Sequence, residues 1–238
     1  MNIQEKFDGT ALVLFGTVLG EIDDFEKTLS KKLPRTVGEK GLTIPQYGSF
    51  KKIPKNKVVP ITELDRVGQH RIEIGPGENL ETISEKWSEK AIFVADLNEG
   101  INNEVIDSAI YYNLTNAYKI IDCFSSKHIA YSFFSDNCDH AFGIEKCFDC
   151  SFVMNVRASR KITRAYEVDF SENCSDIMFC HNVANVKDSL FCHNVKNLRY
   201  AVLNKVVGKE EYLRIKKMVI EEIIKKLKTK NSYFLACT

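Results

Sequence analysis

Residues 173–208 write one unit three times, as NCSDIMFCHNVA, NVKDSLFCHNVK and NLRYAVLNKVVG, with Asn173, Asn185 and Asn197 opening the units. The string FCHNV returns unchanged at Phe179 to Val183 and Phe191 to Val195. A period of twelve is too short for a helical-hairpin repeat, which takes roughly 30 residues or more, but it suits one narrow coil of a β-solenoid. Stacked coils touch only their neighbours, so positions twelve apart must share character. Met178, Leu190 and Val202 make one apolar column and Phe179, Phe191 and Leu203 another, and a buried column in the coil interior is expected there. Asp176, Asp188 and Arg199 fall at or near a charged edge. The competing reading, an amphipathic helix, is opposed by the β-branched and aromatic residues and by Asn and Ser at fixed intervals, which serve turns better than helix interiors.

The expected fold is therefore mostly β: a solenoid of about 12 residues per rung, with a mixed α/β N-terminal region before it and a C-terminal capping helix after it. Composition marks the first boundary. All five prolines and ten of the twelve glycines precede residue 101, whereas every cysteine follows residue 122. The divisions read as 1–100, 101–208 and 209–230. In the first, TALVLFGTVLG reads as one or two strands bent at Gly16. A helix follows through Ile22, Phe25, Leu29 and Leu33, with Lys31 and Lys32 suiting its C-terminus and Pro34 ending it. QHRIEIG reads as a strand ending at the turn Gly75-Pro76-Gly77, residues 80–90 as a short helix around Trp87, and AIFVADL as a buried strand. From residue 104 the period is faint, and seven to nine rungs are expected through 208. A helix over NEVIDSAIYYNLTNAYKII, with the solenoid starting near Lys127, is the alternative. KEEYLRIKKMVIEEIIKKLKTK is amphipathic, with Tyr212, Ile215, Val219, Ile223 and Leu227 on one face, and is expected to cap the last rung.

Net charge is +1, so no global electrostatic argument points to nucleic acid, membrane or an acidic partner. MNIQEKFDGT lacks the basic and apolar regions of a signal peptide, and a cytoplasmic setting is expected. There, reduced core thiols or ligands are favoured over cross-coil disulfides for the eight cysteines. Stacked Cys180, Cys192, His181 and His193 suggest zinc, but strand neighbours point to opposite faces, so the cysteines are expected inside and the histidines outside. Cys147 and Cys150 have the spacing of half a zinc knuckle, with Cys138 and His140 upstream, and these four are the candidate metal ligands. No other cofactor is expected. There is no nucleophile elbow and no phosphate loop; Lys51, Lys52, Lys55 and Lys57 read as a solvated charge run. Asp107, Asp122, Asp136 and Asp149 are too evenly scattered to nominate a carboxylate pair and read as turn residues, while Tyr111, Tyr112, Tyr118 and Tyr131 could form a stacking face but fit rung packing better.

The segment SENCSDIMFCHNVANVKDSLFCHNVKNLRYAVLNKVVGKEEY resembles the C-terminal half of an uncharacterised family of prokaryotic and viral proteins. Those proteins carry short Cys- and Asn-rich repeats, then an Asn-Leu-Arg-Tyr segment, here Asn197 to Tyr200, an Asn-Lys pair, here Asn204 and Lys205, and a Lys-Glu-Glu-Tyr helix start, here Lys209 to Tyr212. The resemblance spans about residues 104–228, with fewer cysteines than the family and no Cys-rich zinc ribbon at the front. It implies the repeat fold and carries no activity. The functional expectation is a non-enzymatic scaffold or binding module whose solenoid face takes a protein or polymer. The alternative is a metal-dependent or carbohydrate-active enzyme with a site where the N-terminal region meets the solenoid flank, collecting His70, His128 or His140 with carboxylates.

Overall fold

A computed structural model describes residues 2–30, 33–38, 41–135, 138, 141–143, 146, 150–151 and 153–229. Its α-helices are α1 (Ile3–Phe15), α2 (Glu26–Leu29), α3 (Leu64–Val67), α4 (Leu80–Lys90) and α5 (Lys209–Lys228). Between α4 and α5 the chain winds a β-solenoid of about eight turns. Neighbouring coils pair in parallel at a step of twelve: Asn103–Ile106 lies on Thr115–Tyr118, and Arg160–Asp169 on Glu172–His181. Strand Ala109–Tyr112, with the pair Asn103–Ile106 and Thr115–Tyr118, thus occupies the segment whose apolar spacing allows a helix.

Within the twelve lies a shorter period. The backbone turns at every third residue with positive φ, from Glu104, Asp107 and Ile110 to Phe134, and again from Asn155 to Leu203. This left-handed conformation costs an L-residue about 1–2 kcal/mol, and least for Asn and Asp, whose short side chains bond locally. Asn173, Asn185 and Asn197, Asn182 and Asn194, and Asp176 and Asp188 are all such corners. Each coil is thus four sides of three residues, and the residue after each corner points inward. One coil contributes Leu114, Ala117, Ile120 and Cys123 to the interior, and a later one Cys174, Ile177, Cys180 and Val183.

The corners correct the expected interior. Strict alternation would put Ile177 and Phe179 on one face, but a turn at every third residue replaces the period of two by a period of three. Met178 and Leu190 point outward and are buried beneath helices, Phe179 and Phe191 are half-buried corners, and Leu203 is 69% exposed. Buried serines belong to the same geometry. Ser171 Oγ donates to the Asp169 carbonyl (2.8 Å) and accepts from the Val183 N–H one coil on (3.4 Å). Ser159 and Ser189 repeat the arrangement, and the Cys174 thiol does so with Glu172 and Val186. A small hydroxyl or thiol satisfies corner groups that side-to-side pairing leaves over.

One outer side of the solenoid is roofed by two helices. TALVLFG, expected as strand, forms the second half of α1: Asn2 accepts from the Glu5 N–H at its start, and Gly16 (φ +74°) ends it. Phe7, Ala11, Leu14 and Phe15 fall on one helical face and bury against the flank, with Phe7 5.4 Å from Phe142 and Phe15 5.1 Å from Tyr166, edge to face. Burial of that face overrides the β propensity of Val13 and its neighbours. α5 touches the last coil with its first turn, Tyr212 against Tyr200, and then runs back along the flank until Leu227 meets Met154 and Tyr166. The end of the last coil is closed by an antiparallel hairpin of Arg199–Val202 with Lys205–Val206. Here the Asn204 side chain takes the place of another coil, accepting from the His193 N–H (2.8 Å) and donating to its carbonyl (3.0 Å).

A second side is covered only over the early coils. Thr43 donates to the Asp107 carbonyl (3.1 Å) and the Tyr47 hydroxyl to Asp122 (2.8 Å), placing the short strand Thr43–Pro45 over Ala109–Tyr112. The expected helix after Gly20 is a 3-10 turn at Ile22–Phe25 followed by α2; Lys31 and Lys32 lie outside the described residues. QHRIEIG forms no strand, since nothing pairs with it among the described residues, and Ile74 is exposed. AIFVADL contributes only Phe93–Val94, parallel to Val58–Val59 and half-buried. α4 stands as expected, opened by an Asn79–Thr82 capping box.

Candidate functional site

Beyond the stretch covered by the N-terminal region, the second side of the solenoid lies open as a groove of about 460 Å³. The coil geometry builds it. Arg157, Asp169, His181 and His193 are outward residues twelve apart and stack along its floor, and the corner column Asn155, Glu167, Phe179, Phe191 and Leu203 forms one wall. Asn194 stands at the other margin, where it accepts from the Asn182 amide (2.7 Å). Phe179 and Phe191 stack with centroids 4.9 Å apart and planes 5° from parallel. α5 reaches the far side of these two rings, where Val219 and Ile223 pack. The rings thus present one edge to the helix and one to the groove.

The floor runs from a guanidinium through a carboxylate to two imidazoles. Asp169 Oδ2 lies 3.7 Å from His181 Nδ1, beyond hydrogen-bond distance, and Phe170 meets the His181 ring edge-on at 5.9 Å. Glu167 accepts from the Asn155 amide. Beneath the floor lie Cys180 and Cys192, inward neighbours on adjacent coils. The proximity of the two thiols, partly opposed by burial and helped by the Asn204 N–H, lowers Cys192. The same contact, with burial, pushes Cys180 well up. Neither sulfur stands next to an imidazole on the same face, because His181 and His193 point outward, as expected from strand geometry. The arrangement offers an apolar ledge beside cationic, anionic and imidazole groups, which suits holding a ligand more than breaking a bond.

Of the candidate metal ligands, Cys138 and Cys150 are buried in the solenoid interior, and His140 and Cys147 lie outside the described residues. Cys150 is disulfide-bonded, whereas Cys123, Cys138, Cys174, Cys180 and Cys192 carry thiols. Among the described residues no group of three or more His, Cys, Asp or Glu is placed to hold a metal ion. His70 sits on an exposed loop and His128 pairs with the Asn116 amide (3.1 Å), so these two do not converge. Asp107 and Asp122 are corners, as turn residues should be; Asp136 and Asp149 lie outside the described residues. Tyr118 and Tyr131 each donate to Asp23 at 2.8 Å beneath the N-terminal region, so they pack rather than form a stacking face. Lys57 donates to the Glu89 carbonyl (3.0 Å) at the end of α4. The Phe179–Phe191 ledge and the Arg157–Asp169 ladder escape sequence reading because the first was assigned to the interior and the second lies upstream of the visible repeat. Counting back in twelves from His193 through His181 would have found Asp169 and Arg157.

No protein-family model matches the chain, and no curated protein matches its sequence. No described helix is long and apolar enough to cross a membrane.

Proposed function

We propose that the protein is a non-enzymatic binding module that takes an extended protein segment or polymer along the open flank of its solenoid. The groove carries this reading: its volume of about 460 Å³ falls within the range of ligand sites, roughly 300–1,000 Å³, and it joins an apolar ledge to polar groups at coil spacing. The rigid coil supports it, since each side chain in the floor is fixed by a backbone paired on neighbouring coils. The alternative, a metal-dependent or carbohydrate-active enzyme with its site where the N-terminal region meets the flank, draws less support. The cavity there, lined by Phe7, Leu29, Met154 and Tyr166, holds about 20 Å³, room for about one water.

The test uses arrays of extended peptides and soluble polysaccharides, with hits followed by calorimetry. His193→Ala and Leu203→Ser alter exposed groove residues and should weaken a true ligand at least ~10-fold, about 1.4 kcal/mol, at unchanged thermal stability. Equal binding by the variants, or cleavage products appearing in the mixture, would reject this reading.

A further inference from the structure

We infer that Cys180 and Cys192 form a redox modification site: a dithiol set one coil apart beneath the groove, which a peroxide converts into a cross-coil disulfide. The register leaves no ambiguity about the pair. Met178 pairs with Leu190 and His181 with His193, and the His181 N–H donates to the Cys192 carbonyl at 2.9 Å, so the two cysteines face each other on adjacent coils. Neighbouring parallel strands stand about 4.8 Å apart, inside the range of roughly 4.4–6.8 Å that a disulfide spans between Cα atoms. Both side chains point inward from the same side of the coil.

Cys174 and Cys123 face no cysteine on the adjacent coils. Cys174 pairs with Ile162 on one side and its column continues to Val186, while Cys123 pairs with Tyr111. The pair also differs in access. Cys180 and Cys192 are 2% and 0% exposed, yet both border the groove, so the approach for a small oxidant is short. The thiolate is the form that attacks, and the pairing serves attack from either sulfur.

The chemistry closes without a further partner. With Cys192 attacking first, its thiolate takes one oxygen of hydrogen peroxide, breaking the O–O bond, forming a sulfenic acid and releasing hydroxide, which takes a proton to become water; the reverse order balances identically. The Cys180 sulfur then attacks the sulfenic sulfur, the S–S bond forms, and its thiol proton leaves with the departing hydroxyl as a second water. Two thiols are oxidised by two electrons and one peroxide is reduced to two waters.

Peptide mapping of the full chain tests this. After treatment with a small excess of hydrogen peroxide, remaining thiols are blocked with iodoacetamide and the protein is cut with trypsin. Cleavage after Arg164, Lys187 and Lys196 places Cys180, together with Cys174, on peptide 165–187 and Cys192 on peptide 188–196. The expected product joins the two peptides, with fragmentation assigning the bond to Cys180, and dithiothreitol reverses it. Cys192→Ser and Cys180→Ser should each lower the product at least ~10-fold. Recovery of both residues as alkylated thiols, oxidation of Cys192 to sulfinic acid without the cross-link, or a bond from Cys192 to Cys174 would overturn the proposal. The wild-type map alone decides if either variant fails to fold.

Discussion

Exchanging Ile177 and Phe191 each for Ala and for Gly probes the three-residue side directly, because inward and corner positions rank the two replacements in opposite order. Ile177 is fully buried in an interior column between Ala165 and Ser189, neighbours too small to close over a void. Removing its three outer carbons should cost about 3–4 kcal/mol in lost burial and cavity. Gly there should be worse than Ala by about 0.5–1 kcal/mol, since it adds backbone entropy to the unfolded chain. Phe191 is a half-buried corner with φ +54°, stacked on Phe179. Loss of the ring should cost about 1–2 kcal/mol, part burial and part stacking. Ala would still sit in the left-handed region, whereas Gly adopts it freely, so Phe191→Gly should be more stable than Phe191→Ala by about 1 kcal/mol. Urea unfolding followed by circular dichroism reads all four variants at matched slopes. If Ala outranks Gly at both positions, or if Phe191→Ala costs as much as Ile177→Ala, the corners are misplaced and the alternating strand is the right description.

Ser171→Ala should cost about 1–3 kcal/mol in the same titration, since it strands the Val183 N–H, the Asp169 carbonyl keeping its bond from the Asn182 N–H, while Ser171→Cys should cost less because the Cys174 thiol already plays that part. Gly100→Ala should destabilise and loosen the first coil: φ is +75° there and a Cβ would stand 2.2 Å from Asn113 Oδ1, so amide exchange at Ile101, whose N–H that side chain accepts, should speed up. Removing residues 209–238 should uncover Met178 and Leu190 and drive self-association through the flank; a monodisperse truncation with unchanged melting in size-exclusion and thermal assays would contradict the roofing role of α5. Burial works to raise the Asp23 carboxyl, but hydrogen bonds from Tyr118 and Tyr131 and the Lys119 ammonium outweigh it, so the folded group titrates below the unfolded one. Its contribution is present above the unfolded pKa and lost as pH falls through the folded one, so Asp23→Asn should flatten the acid limb of a stability–pH curve.

The repeat at Asn173, Asn185 and Asn197 determined the coil length, the parallel stacking and the register, because each coil must meet a copy of itself and mismatched columns would bury charge. It also held the three-residue period, in the Asn and Asp residues at multiples of three, but that signal is legible only once left-handed corners are recognised. An alternating strand is the ordinary expectation, and it placed Phe191 inside. The C-terminal helix was likewise written in its apolar face and end charges. Tertiary structure alone decided which face of the coil each helix roofs. TALVLFG is apolar enough for strand or helix, and it became α1 because Phe142, Met154 and Tyr166 offered a flank that a helical face could cover. The groove exists for the same reason. Roofing one side and part of another leaves Arg157, Asp169, His181 and His193 open, and no local propensity records where a distant segment will fail to reach.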